Sequence, residues 1–425
     1  MISVGFDISA LDPAFKSHSQ RGIGRYVAEL TRSLKAATEP DLLVEWFDHK
    51  TLLHQGVCAQ AINCLPVGRT TVRQQLLYPL KLNAGSMKGL SFVHFPAHMD
   101  APAWSPKPFV LTVLDLIPLI LEDLYRANRP GWRFSFARWL EIRSIQQAAF
   151  LLGISETTAN DIHRLLGVPR ERIMVTPLGV DQSFFEIYQQ RVSYSGDRLE
   201  EDSLDLRVRL GIPTGRPIIL YVGGHDERKN IRILVEIVSQ VIHEVERVGG
   251  EAPVLVMAGR VNSAKEEERL NLALWDFSMA SDTVNLGYVS DSDLHALYGE
   301  SALFLFPSLY EGFGLPVLEA MAAGLPVVCS NTSSMPEVLG DTGLTFNPHD
   351  VRAGCKAVLQ ILRDGDAARK LSEAAYQRAR EFTWERTGRV TIEGYRAAAE
   401  LIGVSGSKLS ATEIRPIITG SDRAA

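Results

Sequence analysis

The sequence has few cysteines, no long apolar run and no excess of positive charge. Its four cysteines fit no C-x2-C metal pair and are too few to cross-link 425 residues. They are Cys58, Cys64, Cys329 and Cys355. The longest apolar stretch, Phe109–Leu121, is interrupted by Asp115 and Pro118, and it is shorter than the roughly 20 residues that a membrane span needs. These absences argue against a disulfide-stapled fold and an integral membrane protein.

The charge balance and the first residues narrow the class further. With 44 Lys plus Arg against 50 Asp plus Glu, the net charge of −6 gives no general attraction to nucleic acid. Residues 1–10 lack the basic and apolar regions of a secretory signal. We therefore expect a reduced, cytoplasmic protein that contacts a membrane, if at all, on the inner face of the plasma membrane.

Short apolar runs alternate with longer stretches of helical period, which is typical of parallel sheets built from βαβ units. The predicted strands of the first half begin near residues 2, 43, 92, 109, 150 and 173, and those of the second half near 217, 254, 284, 303 and 327. The sequence thus predicts an α/β fold with two similar halves.

The domain limits follow from the places where apolar periodicity stops. The segment Tyr188–Val208 is polar and charged, so we expect a linker or surface insertion there. We place the first domain at 1–190 and the second at 209–385. Residues 404–425 are small and polar and are expected to form a flexible tail.

The strongest motif follows the apolar run Leu303–Phe306. A loop with Glu311, Gly312 and Gly314 leads into a short helix that contains Glu319. In open α/β sheets ligands bind beyond the carboxyl ends of strands, and backbone amides at a helix start bind phosphate. We expect the amides of Gly312, Phe313, Gly314 and Leu315 to approach a diphosphate. Glu311 and Glu319 would accept hydroxyl groups of a sugar and a ribose. The alternative is an ordinary strand, turn and helix with a solvated Glu319.

This segment resembles the E-x7-E signature of the retaining family 4 glycosyltransferases, which have the GT-B fold of two facing Rossmann-like domains. The resemblance covers most of the chain. It is carried in order by the segments 21–26 (RGIGRY), 155–156 (SE), 177–181 (PLGVD), 221–230 (YVGGHDERKN) and 382–384 (FTW). The last segment resembles the start of the family's terminal helix, so the resemblance implies that a C-terminal helix at 386–403 completes the first domain.

The resemblance makes 221–230 the loop that binds the donor phosphates, with Gly223, Gly224, Arg228 and Lys229 as its contacts. A lysine there supplies a point charge for the departing diphosphate. Gly224 stands where some relatives have an arginine, so a clamp from that position is absent. The alternative is a basic helix start whose Arg228 and Lys229 point into solvent.

In the first half, Gly22 and Gly24 match only part of a G-x-G-x-x-G fingerprint, which argues against a dinucleotide enzyme such as a dehydrogenase. The resemblance makes them part of a flexible loop that closes over the donor, and an ordinary helix start is the alternative. Asp115 lies in a segment where the family often has His-Asp, but this chain has Leu114 in place of the histidine. Asp115 is our candidate acceptor-side catalytic residue, with a turn-capping carboxylate as the alternative.

Two metal patterns are discarded. Asp291 and Asp293 form a D-x-D, but Asp291 is better explained as a helix N-cap. Pro96 separates His94 from His98, which argues against one helical face. We expect no metal and no cofactor.

A basic and aromatic segment, 126–143, suits anionic headgroups or the phosphate of a lipid-linked acceptor. Its candidate contacts are Arg129, Trp132, Arg133 and Trp139. The alternative is a surface helix whose aromatic side packs on the core.

The resemblance implies a retaining glycosyltransferase with Glu311, Lys229 and Asp115 as catalytic residues. Its partners would be a nucleotide-sugar donor, best GDP-mannose, and a glycan or lipid-linked acceptor of cell-surface polysaccharide, such as lipopolysaccharide. The alternatives are a UDP-sugar donor and a non-catalytic nucleotide-sugar or membrane-binding protein, which Leu114 favours.

Overall fold

The computed structural model describes residues 1–13, 22–49, 75, 78–82, 85–124, 131–193 and 197–403. Arg129, the proposed tail 404–425 and the side chain of Arg133 lie outside this part of the chain.

Six parallel strands form the first sheet, in the order β2-β1-β3-β4-β5-β6. They are β1 Ile2–Asp7, β2 Leu42–Phe47, β3 Phe92–Phe95, β4 Phe109–Val113, β5 Phe150–Gly153 and β6 Ile173–Val175. The central strands β3, β4 and β5 are buried along their whole length, as expected for a parallel sheet covered by helices on both faces. All six predicted strands of the first half are confirmed to within a residue or two.

The second sheet is also parallel and has the order β12-β11-β10-β7-β8-β9. Its strands are β7 Ile218–Val222, β8 Val254–Ala258, β9 Thr283–Gly287, β10 Leu303–Phe306, β11 Val327–Ser330 and β12 Leu344–Phe346. Strand β12 was not predicted. It is a three-residue edge strand in which only Phe346 is buried, so it has no apolar run to mark it.

The described helices cover the faces of the two sheets. They are α1 Gly22–Ala36, α2 Tyr78–Lys81, α3 Ile117–Ile120, α4 Trp132–Gln147, α5 Glu156–Leu166, α6 Gln182–Ser193, α7 Asp197–Leu210, α8 Ile231–Glu246, α9 Ala264–Asp276, α10 Asp291–Glu300, α11 Leu315–Ala322, α12 Met335–Leu339, α13 Val351–Arg363, α14 Gly365–Ala379 and α15 Trp384–Leu401. The segment expected as a linker, Tyr188–Val208, is therefore helical in its described part. Its many charged residues predicted a linker, and in the part of α7 whose burial is described, 204–210, Leu206 and Arg207 are the buried residues.

The chain passes between the two halves twice, and the passages lie side by side. The Val180 amide donates to the Phe382 carbonyl at 3.1 Å. A Cβ on Gly179 would lie 2.3 Å from the Trp384 nitrogen, so only glycine fits there. After the second passage, α15 packs on α1, β1 and β5 of the first half, with Tyr395 fully buried.

Candidate functional site

The basic loop after β7 turns its two cations inward. A single 3-10 turn, Glu227–Lys229, ends at Asn230, whose backbone is left-handed with a φ of 59°. The Asn230 side-chain amide holds this turn by donating to the carbonyls of Pro307, at 3.1 Å, and Pro348, at 2.8 Å. Lys229 is consequently only 6% exposed. The arrangement excludes the alternative in which the side chain of Lys229 points into solvent.

Glu311 is the acceptor for both cations. Its Oε1 accepts from Lys229 Nζ at 2.6 Å and from Ser308 Oγ at 2.6 Å, and its Oε2 accepts from Arg228 at 2.5 Å. Burial acts to raise the pKa of Glu311, but the charges of Arg228 and Lys229 and these hydrogen bonds lower it to about 2. The structure thus brings three predicted site residues into one buried, ionised cluster.

Arg228 faces this cluster and not the solvent. Besides Glu311 it contacts the Tyr310 carbonyl at 3.2 Å and pairs with Asp226 at 3.1 Å. Burial acts to lower the pKa of Arg228, but the Glu311 and Asp226 charges raise it overall. Its guanidinium has five N–H donors, so it retains capacity for a ligand oxygen.

Helix α11 begins beside this cluster. Gly314 is its N-cap with a φ of 97°, a left-handed conformation that favours glycine, and Pro316 lies in the first turn as predicted. The first amides of a helix have no partner inside it, so the N–H groups near Gly314 are suited to an anion.

The two glycines of the loop also serve packing. A Cβ on Gly312 would lie 2.3 Å from the Leu114 carbonyl oxygen of the first half, and one on Gly314 would lie 2.3 Å from Met335 Cε. Gly312 is therefore a point of close approach between the two halves as well as a candidate donor contact.

Glu319 is not a solvated helix residue, since it is 6% exposed. Its Oε1 accepts from Arg25 of α1 at 2.7 Å, and its Oε2 accepts from Tyr298 of α10 at 3.2 Å. Burial raises the pKa of Glu319, and Arg25 opposes this shift. Arg25 and Glu319 are 294 residues apart in the sequence, and their ion pair links the two halves.

In the first half, Asp115 follows β4 and lies next to Gly312, where a Cβ would be 3.0 Å from Asp115 Cβ. Its carboxylate accepts from the Ile117 amide at 3.1 Å. Asp115 therefore caps the turn, as the alternative predicted. Its side chain is only partly buried. Leu114 is buried at 9% exposure.

Gly22 and Gly24 lie in the first turn of α1, so the helix-start alternative describes their conformation. The closing loop that we expected around them is helical from Gly22 onward. Gly24 is buried, whereas a Cβ on Gly22 would meet nothing within 4 Å.

Two residues of the discarded metal patterns, Asp293 and His94, have other partners. Ser290, and not Asp291, is the N-cap of α10, where its hydroxyl accepts from the Asp293 amide at 3.1 Å. Asp293 pairs with Arg209. His94 is buried between Tyr395, at 2.7 Å, and Thr112, at 2.9 Å. Within the described ranges, no three His, Cys, Asp or Glu side chains converge in a way that suits a metal ion.

Helix α4 leaves its aromatic side chains in solvent. Trp132 is 75%, Phe136 48% and Trp139 52% exposed. Phe136 and Trp139 stack at 5.8 Å, and the Arg143 guanidinium lies over Trp139 at 5.9 Å. The alternative in which this aromatic side packs on the core is wrong for these three residues. Among the described helices, none is long and apolar enough to cross a membrane.

Sequence reasoning missed several residues of the site. Ser308, Arg25 and Tyr298 were not singled out. Ser308 and Arg25 lie inside recognised motifs, so their position was a usable signal. Tyr298 lies on α10, far along the chain from α1, and no local pattern marks it.

The fold and the site define a class: two parallel α/β halves that face each other across a site made by their loops, which is the GT-B architecture. The family models for "Glycosyltransferase Family 4" and "Glycosyl transferases group 1" match residues 20–184 and 202–378, respectively. Together they cover most of the chain, which therefore belongs to the family 4 glycosyltransferases.

Two relatives agree with this assignment, and one solved structure shares the fold. O-antigen chain mannosyltransferase B of Escherichia coli is 33% identical over 258 residues, covering 60% of this chain and 62% of that protein. Serotype-specific mannosyltransferase WbdA of Escherichia coli is 31% identical over 307 residues, covering 71% of this chain but 36% of WbdA. The chain thus matches less than two thirds of the length of either relative. A sucrose-phosphate synthase from Thermosynechococcus elongatus has the same fold, with a TM-score of 0.67 at 20% identity, covering 95% of this chain and 100% of that structure.

Proposed function

We propose that the protein is a retaining glycosyltransferase that moves mannose from GDP-mannose to a glycan or lipid-linked acceptor in cell-surface polysaccharide biosynthesis. The observation that carries the proposal is the buried Glu311 carboxylate, which holds Lys229 and Arg228 at the start of α11. The choice of mannose rests on relatives that are named mannosyltransferases. A UDP-sugar donor is the competing outcome.

The geometry supports stabilisation of a leaving diphosphate. Lys229 has three N–H donors, and the bond to Glu311 uses one of them. The ammonium is fixed before the donor arrives, so it is not reorganised when charge develops on the leaving oxygen. The amides near Gly312 and Gly314 add donors on the same side.

The hydrogen bonding of Glu311 argues against a covalent mechanism through this residue. Three donors already share its two oxygens, which lowers its capacity to attack a sugar carbon. Attack by the acceptor on the same face that the diphosphate leaves, with the leaving phosphate taking the acceptor proton, needs no enzymatic nucleophile. This is the mechanism we propose, with Asp115 orienting the acceptor hydroxyl.

The decisive experiment incubates the purified protein with GDP-mannose and a bacterial lipid extract and measures both GDP release and mannose transfer. Lys229→Ala should lower transfer about 100-fold, the scale of one preorganised electrostatic contact. Arg232→Ala is the matched control, because Arg232 lies on α8 beside this loop with a 59% exposed side chain paired to Asp276. Full transfer by a folded Lys229→Ala protein would refute the donor site.

Other donors and the non-catalytic alternative have distinct outcomes in parallel assays. A thermal-shift panel of nucleotide sugars identifies the donor, because a ligand that binds only the folded state raises the unfolding temperature. A preference for UDP-sugars would replace GDP-mannose. Binding without transfer or nucleotide release would support the non-catalytic protein.

The exposed aromatic and basic side of α4 suits a peripheral contact with an anionic membrane surface, where lipid-linked acceptors are found. Trp132 and Trp139 supply amphipathic rings, and Arg143 supplies a charge beside them. The proposal therefore includes a peripheral membrane contact through α4.

A further inference from the structure

Arg25 lies on α1 of the first half and reaches Glu319, which lies on α11 of the second half. Its guanidinium donates to Glu319 Oε1 at 2.7 Å and lies over the Phe184 ring of α6 at 5.5 Å. Its side chain is 37% exposed, whereas that of Glu319 is 8% exposed. A buried carboxylate thus takes its counter-ion from the opposite half of the molecule.

The surroundings of Glu319 leave its acceptor capacity only partly used. Arg25 occupies one site on Oε1, and the Tyr298 hydroxyl occupies one on Oε2. A carboxylate offers about four lone-pair positions, so each oxygen retains one for a further donor. The existing hydrogen bonds therefore orient the carboxylate and leave one acceptor position free on each oxygen. Two neighbouring hydroxyl groups of a ligand could donate to these two positions.

The cluster has few other charged members. Tyr298 and Asp291 of α10 and Arg25 of α1 are the groups whose charge or hydrogen bonding affects Glu319. Burial raises the pKa of Glu319, Asp291 raises it further, and Arg25 is the cation that opposes both. With Arg25 and Tyr298 already bound, the ionised carboxylate has two lone-pair positions left for hydroxyl donors, and protonation would take one of them.

We propose that Arg25 is a positioning residue that keeps Glu319 ionised and aimed at the ribose hydroxyls of the donor, so that the first half of the protein controls a contact made by the second. This inference rests on the proposed function, in which Glu319 binds the ribose. The aromatic support of Phe184 fixes the guanidinium plane, which makes arginine and not lysine the suitable residue.

The test measures nucleotide binding by calorimetry on the full chain, with GDP or, where the protein prefers it, UDP. Arg25→Gln should weaken nucleoside diphosphate binding about tenfold or more, the scale of a charge-assisted hydrogen bond. Arg25→Lys should restore part of the loss. Arg32→Gln is the matched control, since Arg32 lies on the same helix and, like Arg25, has its charge near Asp181, but it pairs with Glu29 and its side chain is 72% exposed.

Two further readouts separate positioning from mere structural support. The effect of Arg25→Gln should vanish with the 2′,3′-dideoxy nucleotide, which lacks the hydroxyls that Glu319 would accept. The pH below which binding of the normal nucleotide weakens should rise in Arg25→Gln, because Glu319 then protonates at a higher pH. Arg25→Gln and Glu319→Gln should also be non-additive in a double-mutant cycle.

The failures are distinguishable. If the wild-type protein binds neither nucleotide, the proposed function fails and this inference fails with it. If it binds one and Arg25→Gln leaves affinity and pH dependence unchanged, the inference alone is overturned. Tighter binding by Arg25→Gln would show that Arg25 competes with the ribose, which overturns it as well. An equal loss with the dideoxy nucleotide would reduce Arg25 to a structural contact.

Discussion

Glu311 combines burial with a full negative charge, and its neighbours explain how both are possible. The carboxylate is 7% exposed, yet Arg228, Lys229 and Ser308 supply three donors within 2.6 Å. A buried charge without such partners would cost several kcal/mol. The same contacts fix the two cations, so in the proposed function Glu311 would act on the donor phosphates through Arg228 and Lys229.

Glu311→Gln should destabilise the fold by about 3 kcal/mol at pH 7, because two buried cations then lose their counter-charge. The pKa of Glu311 is lowered from an ordinary 4.5 to about 2, so its stabilising effect is complete above 4.5 and is lost as the pH falls towards 2. Urea unfolding of both proteins should therefore show a difference that shrinks between pH 5 and pH 2.

Glu268→Gln is the control for this comparison, because Glu268 is an exposed residue of α9. Its free energy of unfolding should match that of the wild-type protein within about 0.5 kcal/mol. A Glu311→Gln deficit that stays constant down to pH 2 would contradict the ionised assignment.

At the scale of elements, the sequence predicted the strands far better than the contacts between helices. Long apolar runs such as Phe109–Val113 are marked by composition, since both faces of a central strand are buried. The edge strand Leu344–Phe346 has one buried residue and escaped notice. Helix α7 was missed because charged residues dominate it.

In the candidate site too, the sequence predicted residues that lie in local motifs but not the contacts between distant parts of the chain. Glu311, Lys229 and Gly312 were found because each lies in a local motif. The pairing of Arg25 with Glu319 could not be predicted, because it depends on how two independently patterned halves are placed against each other. The inward direction of Arg228 likewise depends on the position of Glu311, 83 residues further along the chain.

Helix α4 is the element whose exposure has a direct test. Phe136→Ser with Trp139→Ser should lower binding to vesicles of phosphatidylglycerol and phosphatidylcholine at least fivefold, because the aromatic side would no longer enter the interface. The fold should lose little stability, since both side chains are about half exposed.

The control for α4 is Trp275→Ser on α9, where the tryptophan is 83% exposed but belongs to the second half. Vesicle binding should be unchanged in that protein, as measured by co-sedimentation. Equal binding by the wild-type and α4 variants would remove the membrane contact from the proposal.

At the scale of the whole molecule, several contacts join the halves around one segment, 310–337. Tyr310 donates to Asp161 of α5, and the Glu337 carboxylate accepts from the Glu156 amide at 3.0 Å. Glu337 therefore lies at the N-terminus of α5, where the helix dipole favours a negative charge. These contacts surround the residues proposed to bind the donor.

Gly312→Ala should disturb these contacts between the two halves directly. The new Cβ would lie 2.3 Å from the Leu114 carbonyl oxygen, a backbone atom that cannot turn aside. The halves would separate slightly, and transfer should fall at least tenfold, since displacements of about 1 Å are costly in catalysis. Nucleotide binding by the second half should change less, and small-angle scattering should show a larger radius of gyration.

Gly365→Ala is the matched control, because a Cβ there meets nothing within 4 Å. It should leave both transfer and the radius of gyration unchanged. Full transfer by Gly312→Ala would mean that the close approach is not needed for the reaction.

The two adjacent chain crossings, tied by the bond between Val180 and Phe382, have a mechanical consequence. Two adjacent crossings resist sliding and twisting of the two halves against each other. They leave rotation about the line through both crossings as the least restricted motion. A Cβ on Gly179 would overlap the Trp384 backbone, so the two crossings lie too close together for a side chain at residue 179. We therefore expect any opening and closing of the two halves to be a rotation about this line.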